Sequence, residues 1–99
     1  MYYTYVLYSR RDSKFYIGFT ENLKRRIEEH ASGKSHTTSR LGEPKLIFYE
    51  AFAAKDDAVR RENYFKTAKG KKALRLIVRD SISLTGSVTV AQQTLDLFV

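Results

Sequence analysis

A chain of 99 residues without cysteine fits one domain, since domains run to roughly 100–150 residues, and it excludes disulfides and thiolate metal sites. No stretch approaches the roughly 18 apolar residues of a membrane span, and the N-terminus opens on tyrosines rather than a charged stretch and an apolar run. Neither a signal peptide nor a membrane partner is therefore expected, and the cytoplasm is the expected compartment. The net charge is +7, and every lysine and arginine lies at or before Arg79, which points to a polyanion such as nucleic acid as partner.

Along the chain, Tyr2 to Tyr8 is aromatic and β-branched and predicts a strand with Tyr3, Tyr5 and Leu7 on one face. Arg10 to Ser13 is a polar turn, and Phe15 to Thr20 predicts the return strand of a hairpin. If Ser9 pairs with Lys14, Tyr5 faces Gly18 and Leu7 faces Tyr16, so Tyr5 and Tyr16 share a face. A slip of one residue would separate them. Asn22 is a good cap for a helix running to Ala31, before Ser32-Gly33. In it Leu23, Ile27 and Ala31 form the stripe facing the sheet, while Asn22, Arg26 and His30 form the adjacent one. Lys24–Glu28 and Arg25–Glu29 are placed to pair on the solvent side.

Residues Lys34 to Pro44 form a polar loop, and Lys45 to Phe52 a third strand. Helices are expected at Lys55–Thr67 and Lys71–Arg79. The expected organisation is one α+β domain over residues 1–80, a small three-stranded antiparallel sheet flanked by about three helices. A tail uncharged but for Asp96 follows over 81–99, rich in Ser, Thr and Val, compatible with a strand pair, a dimer contact or disorder. Monomer and weak dimer both fit.

Glu62 stands out within the second helix. Ala58, Glu62 and Phe65 recur at i, i+4 and i+7, so a carboxylate interrupts an inward face. Such a carboxylate needs either an ion pair, to Arg26 or another arginine, or a cation such as Mg²⁺, which takes oxygen ligands and keeps several waters. Hydrolysis of a phosphodiester needs a deprotonated water, neutralised phosphate charge and a stabilised leaving oxygen. An arginine supplies a planar fork for phosphate, and a tyrosine supplies a base if nearby cations lower its pKa. Arg60, Arg61, Lys66, Lys69, Lys71, Lys72, Arg75 and Arg79 gather around the last two helices with Glu62 the only acid in 58–79. They are suited to sequence-independent phosphate contacts, to which Arg40 and the loop around His36 could add.

Tyr16-Ile17-Gly18 with Tyr5, and Arg26, His30 and Glu62 downstream, resemble the GIY-YIG nuclease family over residues 2 to about 79, and within it the small stand-alone bacterial proteins. The resemblance implies a divalent-metal-dependent DNA endonuclease of low sequence specificity or structure-selective action, with a place in DNA repair or recombination. Tyr5, Tyr16, Arg26, His30 and Glu62 would be its catalytic residues, and Glu62 its ligand for Mg²⁺ or Mn²⁺. Arg40, Lys66, Lys69, Lys71, Lys72 and Arg75 would grip the nucleic acid. The first triplet, Tyr3-Thr4-Tyr5, lacks the family's glycine and isoleucine. Phe19 stands where excision-repair relatives carry a lysine, a part left to Lys45, Lys66 or another cation. The alternative is a non-catalytic nucleic-acid-binding protein that retains the scaffold.

Overall fold

The computed structural model describes residues 1–31 and 44–84. Strands β1 (Tyr2–Ser9) and β2 (Lys14–Thr20) lead into helix α1 (Leu23–Ala31). Strand β3 (Lys45–Phe52) is followed by helices α2 (Lys55–Phe65), α3 (Ala68–Ile77) and α4 (Arg79–Leu84). The sheet is antiparallel in the order β2-β1-β3, an α+β architecture as expected.

The β1–β2 turn sets the hairpin register. Ser13 takes a left-handed conformation at φ 52°, and Asp12 folds back so that its backbone N–H donates to Ser9 Oγ at 3.3 Å. Ser9 then pairs with Lys14, Leu7 with Tyr16 and Tyr5 with Gly18. Alternation along β1 sends side chains to both faces. Tyr5 and Leu7 pack with Leu23 and Ile27 of α1 and with Leu46, and Tyr3 and Tyr16 border that cluster. Val6 and Ile17 pack on the other face with Phe65, Leu74 and Val78 from the C-terminal helices. Each large apolar side chain so buried contributes about 1.5–3 kcal/mol.

Strand β3 carries a bulge: Val6 pairs with Phe48 but Leu7 with Leu46, leaving Ile47 as the extra residue. Ile47 and Phe48 therefore both reach the second cluster, while Leu46 joins the first. The Asn22 cap holds as anticipated, with Oδ1 accepting from Arg25 N at 3.0 Å.

The C-terminal region departs from expectation in its boundaries. Helix α3 begins at Ala68 rather than Lys71, because Thr67 caps it and accepts from Gly70 N at 3.0 Å. Thr67 Oγ1 also donates to Tyr64 O at 2.6 Å, tying the two helices at a tight turn. A Cβ at Gly70 would lie 2.9 Å from Phe65 Cα and collide with the Tyr64 carbonyl, so only glycine lets α3 cross α2 this closely. Arg79–Leu84 is helical, and Ile82 packs against the second cluster. Residues 85–99 of the expected tail and residues 32–43 of the expected loop, Arg40 included, lie outside the described residues.

Candidate active site

The first face of the sheet brings four of the five expected catalytic residues together. Tyr5 is fully buried, its ring centroid 6.5 Å from that of Tyr16 on the neighbouring strand. His30, from the last turn of α1, meets both rings edge-on, at 6.0 Å from Tyr5 and 5.7 Å from Tyr16. Arg26, one turn earlier, donates from Nε to Tyr5 Oη at 3.0 Å and from Nη1 to Glu29 Oε2 at 2.9 Å.

Gly18 makes this arrangement possible. It lies directly across from Tyr5. A Cβ there would sit 2.8 Å from Tyr5 Cε1 and nearer still to Cζ and Oη. The ring of Tyr5 thus lies over the glycine, with its hydroxyl at Arg26.

Charge states follow from burial and neighbours. Burial raises the Tyr5 pKa. The Arg26 hydrogen bond and charge pull it down without overcoming that effect, while Tyr16 and Glu62 push it further up. The lowering that a base role for Tyr5 calls for is therefore not supplied by Arg26 alone. Burial also disfavours charge on Arg26, but Tyr5, Glu29 and Tyr16 more than compensate and the guanidinium stays protonated. His30 is pushed down to about 4, by burial first and by Arg26 second. It is a neutral imidazole at pH 7.

Glu62 comes from α2, whose Phe65 packs on the opposite face of the sheet. Among the described residues it forms an ion pair with neither Arg26 nor another arginine. Its Oε2 accepts from Lys66 Nζ at 3.0 Å, and its charge adds only slightly to the rise that burial imposes on the Tyr5 pKa. Among the described residues Oε1 takes no hydrogen bond, and the side chain is 18% exposed. No group of three or more potential metal-ligating side chains occurs among the described residues, so an all-protein cage is absent from them. A single, partly exposed carboxylate oxygen does fit Mg²⁺ or Mn²⁺, since Mg²⁺ typically takes one or two carboxylates and completes its shell with water and phosphate.

Sequence reasoning passed over Glu29. Read as a solvent-side partner of Arg25, it bonds Arg25 Nε at 3.1 Å and also clamps Arg26. The i, i+3 spacing from Arg26 was the available signal. A depression of about 330 Å³ opens beside this clamp, lined by Thr20, Glu21, Asn22, Arg25, Arg26 and Glu29.

The basic residues divide. Lys69, Lys71 and Lys72 are exposed on α3 and in no ion pair among the described residues. Arg75 lies over the Phe15 ring at 5.0 Å, and Lys66 is engaged by Glu62. Arg61 bonds Glu50 at 2.7 Å and stacks on Phe65 at 4.4 Å, a structural role. Of the cations considered in place of a lysine at Phe19, Lys66 is the one beside Glu62. Lys45 pairs with Tyr8, at the far end of β1 from Tyr5.

A family model described as the GIY-YIG catalytic domain matches residues 1–75. The chain is 38% identical over 86 residues to a UPF0213 protein of Limosilactobacillus reuteri, covering 84% of this chain and 88% of that one. It is 43% identical over 68 residues to the UPF0213 protein spr1390 of Streptococcus pneumoniae, covering 68% of each. The solution NMR structure of the UPF0213 protein BH0048 from Bacillus halodurans is 34% identical, covers 88% of each chain and superposes with a TM-score of 0.47. No described helix is long and apolar enough to cross a membrane.

Proposed function

The chain belongs to the GIY-YIG catalytic-domain family, and on that premise we propose that it is a divalent-metal-dependent DNA endonuclease of low sequence specificity or structure-selective action. A role in DNA repair or recombination goes with that reading. The observation that carries it is the Arg26 guanidinium, fixed between Tyr5 Oη and Glu29 at the rim of an open depression. A planar cation held from two sides and still accessible suits a phosphodiester, whose oxygens it meets without reorganising.

The remaining residues divide the work around that phosphate. Arg26 binds and neutralises it. Tyr5, whose phenol stays protonated through burial, is better suited to orient the attacking water and Arg26 than to begin as a free phenolate. Tyr16 supports the same water or a phosphate oxygen. Neutral His30 holds both tyrosine rings and has a nitrogen able to accept a proton. Glu62 would hold the Mg²⁺ or Mn²⁺, which supplies Lewis acidity to the phosphate and leaving oxygen. Lys66 pairs with Oε2 of the same carboxylate, which leaves Oε1 as the oxygen that would meet such a cation. Lys69, Lys71 and Lys72 supply salt-sensitive backbone contacts.

The test is a cleavage assay over duplex, nicked, flap, branched and single-stranded DNA with Mg²⁺ or Mn²⁺, run beside Glu62→Ala. The variant should bind DNA like the parent and lose cleavage, with its melting temperature nearly unchanged because a partly exposed ion pair is worth under about 1 kcal/mol. Cleavage by Glu62→Ala at the parental rate would remove Glu62 from the mechanism. A parent that binds DNA and cuts none of these substrates would leave a binding protein on the nuclease scaffold.

A further inference from the structure

We propose that Tyr49 is a nucleobase-stacking residue of the active site, so that the preferred substrate carries an unpaired base beside the scissile phosphate. The proposal rests on the nuclease reading and specifies its substrate.

Tyr49 lies on β3 directly across from Tyr5 in the β1–β3 pairing. Directly opposed residues of an antiparallel pair project to the same face, so its ring shares the face of Tyr5, Tyr16 and Arg26. Tyr5 is 1% exposed and Tyr49 is 42% exposed. It is the most exposed aromatic residue among the described ones. Its orientation is not left to chance: Tyr3, diagonal to it on β1, meets it edge-on at 6.2 Å and 61°. A buttressed ring loses little freedom on binding, as a platform for stacking requires.

The chemistry of the occupant follows from what surrounds the ring. Tyr5, directly across from it, takes the hydrogen bond of Arg26, the proposed phosphate contact, and the chain is strongly basic, so the flat apolar partner arriving there belongs to an anionic polymer. Every nucleobase offers a π-face, but a base inside a duplex spends both faces on its neighbours. Only an unpaired or extruded base can lie on Tyr49 while its phosphate meets Arg26. Stacking is read without regard to base identity, in keeping with low sequence specificity.

The experiment is fluorescence anisotropy with a short labelled single strand and the matching blunt duplex, in Ca²⁺ to hold back cleavage. It compares the parent with Tyr49→Ala, Tyr49→Phe and Tyr49→Trp. Tyr49→Ala should weaken single-strand binding by about tenfold or more and change duplex binding by less than about twofold. Tyr49→Phe and Tyr49→Trp should retain single-strand affinity, and the Trp emission should be quenched when the strand binds. Because the ring is exposed, all three should melt near the parent. Equal single-strand affinity in Tyr49→Ala, or an equal loss on both nucleic acids, would overturn the stacking role while leaving the nuclease reading in place. A parent with no affinity for either DNA would overturn both.

Discussion

Replacing Gly18 with alanine tests the packing on which the site depends. In an open strand position this change should stabilise, because glycine loses more backbone entropy on folding and costs roughly 0.5–1 kcal/mol against alanine. Here the new methyl would stand 2.8 Å from Tyr5 Cε1 and closer to Cζ and Oη. The Tyr5 ring is buried against Tyr16, His30 and the α1 side chains, so it cannot swing into solvent. Overpacking of this kind costs about 1–3 kcal/mol. If the ring retreats, the Arg26 Nε–Tyr5 Oη bond is strained or lost as well, and bonds to charged groups are worth about 1.5–3 kcal/mol. Gly18→Ala should therefore destabilise by about 2 kcal/mol net, which lowers Tm by about 8–16 °C in a domain of this size. Urea denaturation and thermal melting followed by circular dichroism give both quantities. The decisive comparison uses Tyr5→Leu, which lacks all three ring atoms that the methyl would meet. In that background Gly18→Ala should turn neutral or stabilising. An equal penalty in both backgrounds, or a stabilised single variant, would refute the close-approach reasoning.

His30 and Arg26 give two further expectations. The His30 pKa is lowered to about 4 from the ordinary 6.5, so between those values the unfolded chain binds more protons than the folded one. Its contribution to stability is full above about pH 6.5 and is lost as pH falls towards 4. Tm measured across that window should fall less steeply in His30→Gln than in the parent, and parallel profiles would count against the burial of a neutral imidazole. Arg26→Lys keeps the charge but cannot reach Tyr5 Oη and Glu29 together with a planar fork. Its cleavage rate should drop by about a hundredfold or more with much smaller loss of DNA affinity, and a near-parental rate would mean that charge alone suffices.

Much of the site was legible because it is built from short-range order. The polar Arg10–Ser13 turn and the alternation on either side of it set the hairpin register, and register alone places Tyr5 over Gly18 and beside Tyr16. The 3.6-residue period then puts Arg26 and His30 on one stripe of α1, next to the stripe that docks on the sheet. These are properties of neighbouring residues, and periodicity encodes them directly.

The hairpin and the α1 faces are thus encoded locally, and with them the grouping of Tyr5, Tyr16, Arg26 and His30. How distant segments meet is set by long-range packing. The bulge at Ile47 sets the pairing of β3 with β1, and that pairing brings Tyr49 opposite Tyr5. The packing of α2 on the other face keeps Glu62 from pairing with Arg26 and leaves it to Lys66, four residues along its own segment. Local periodicity says which way a side chain points along its own element; it carries no information about which element arrives in front of it.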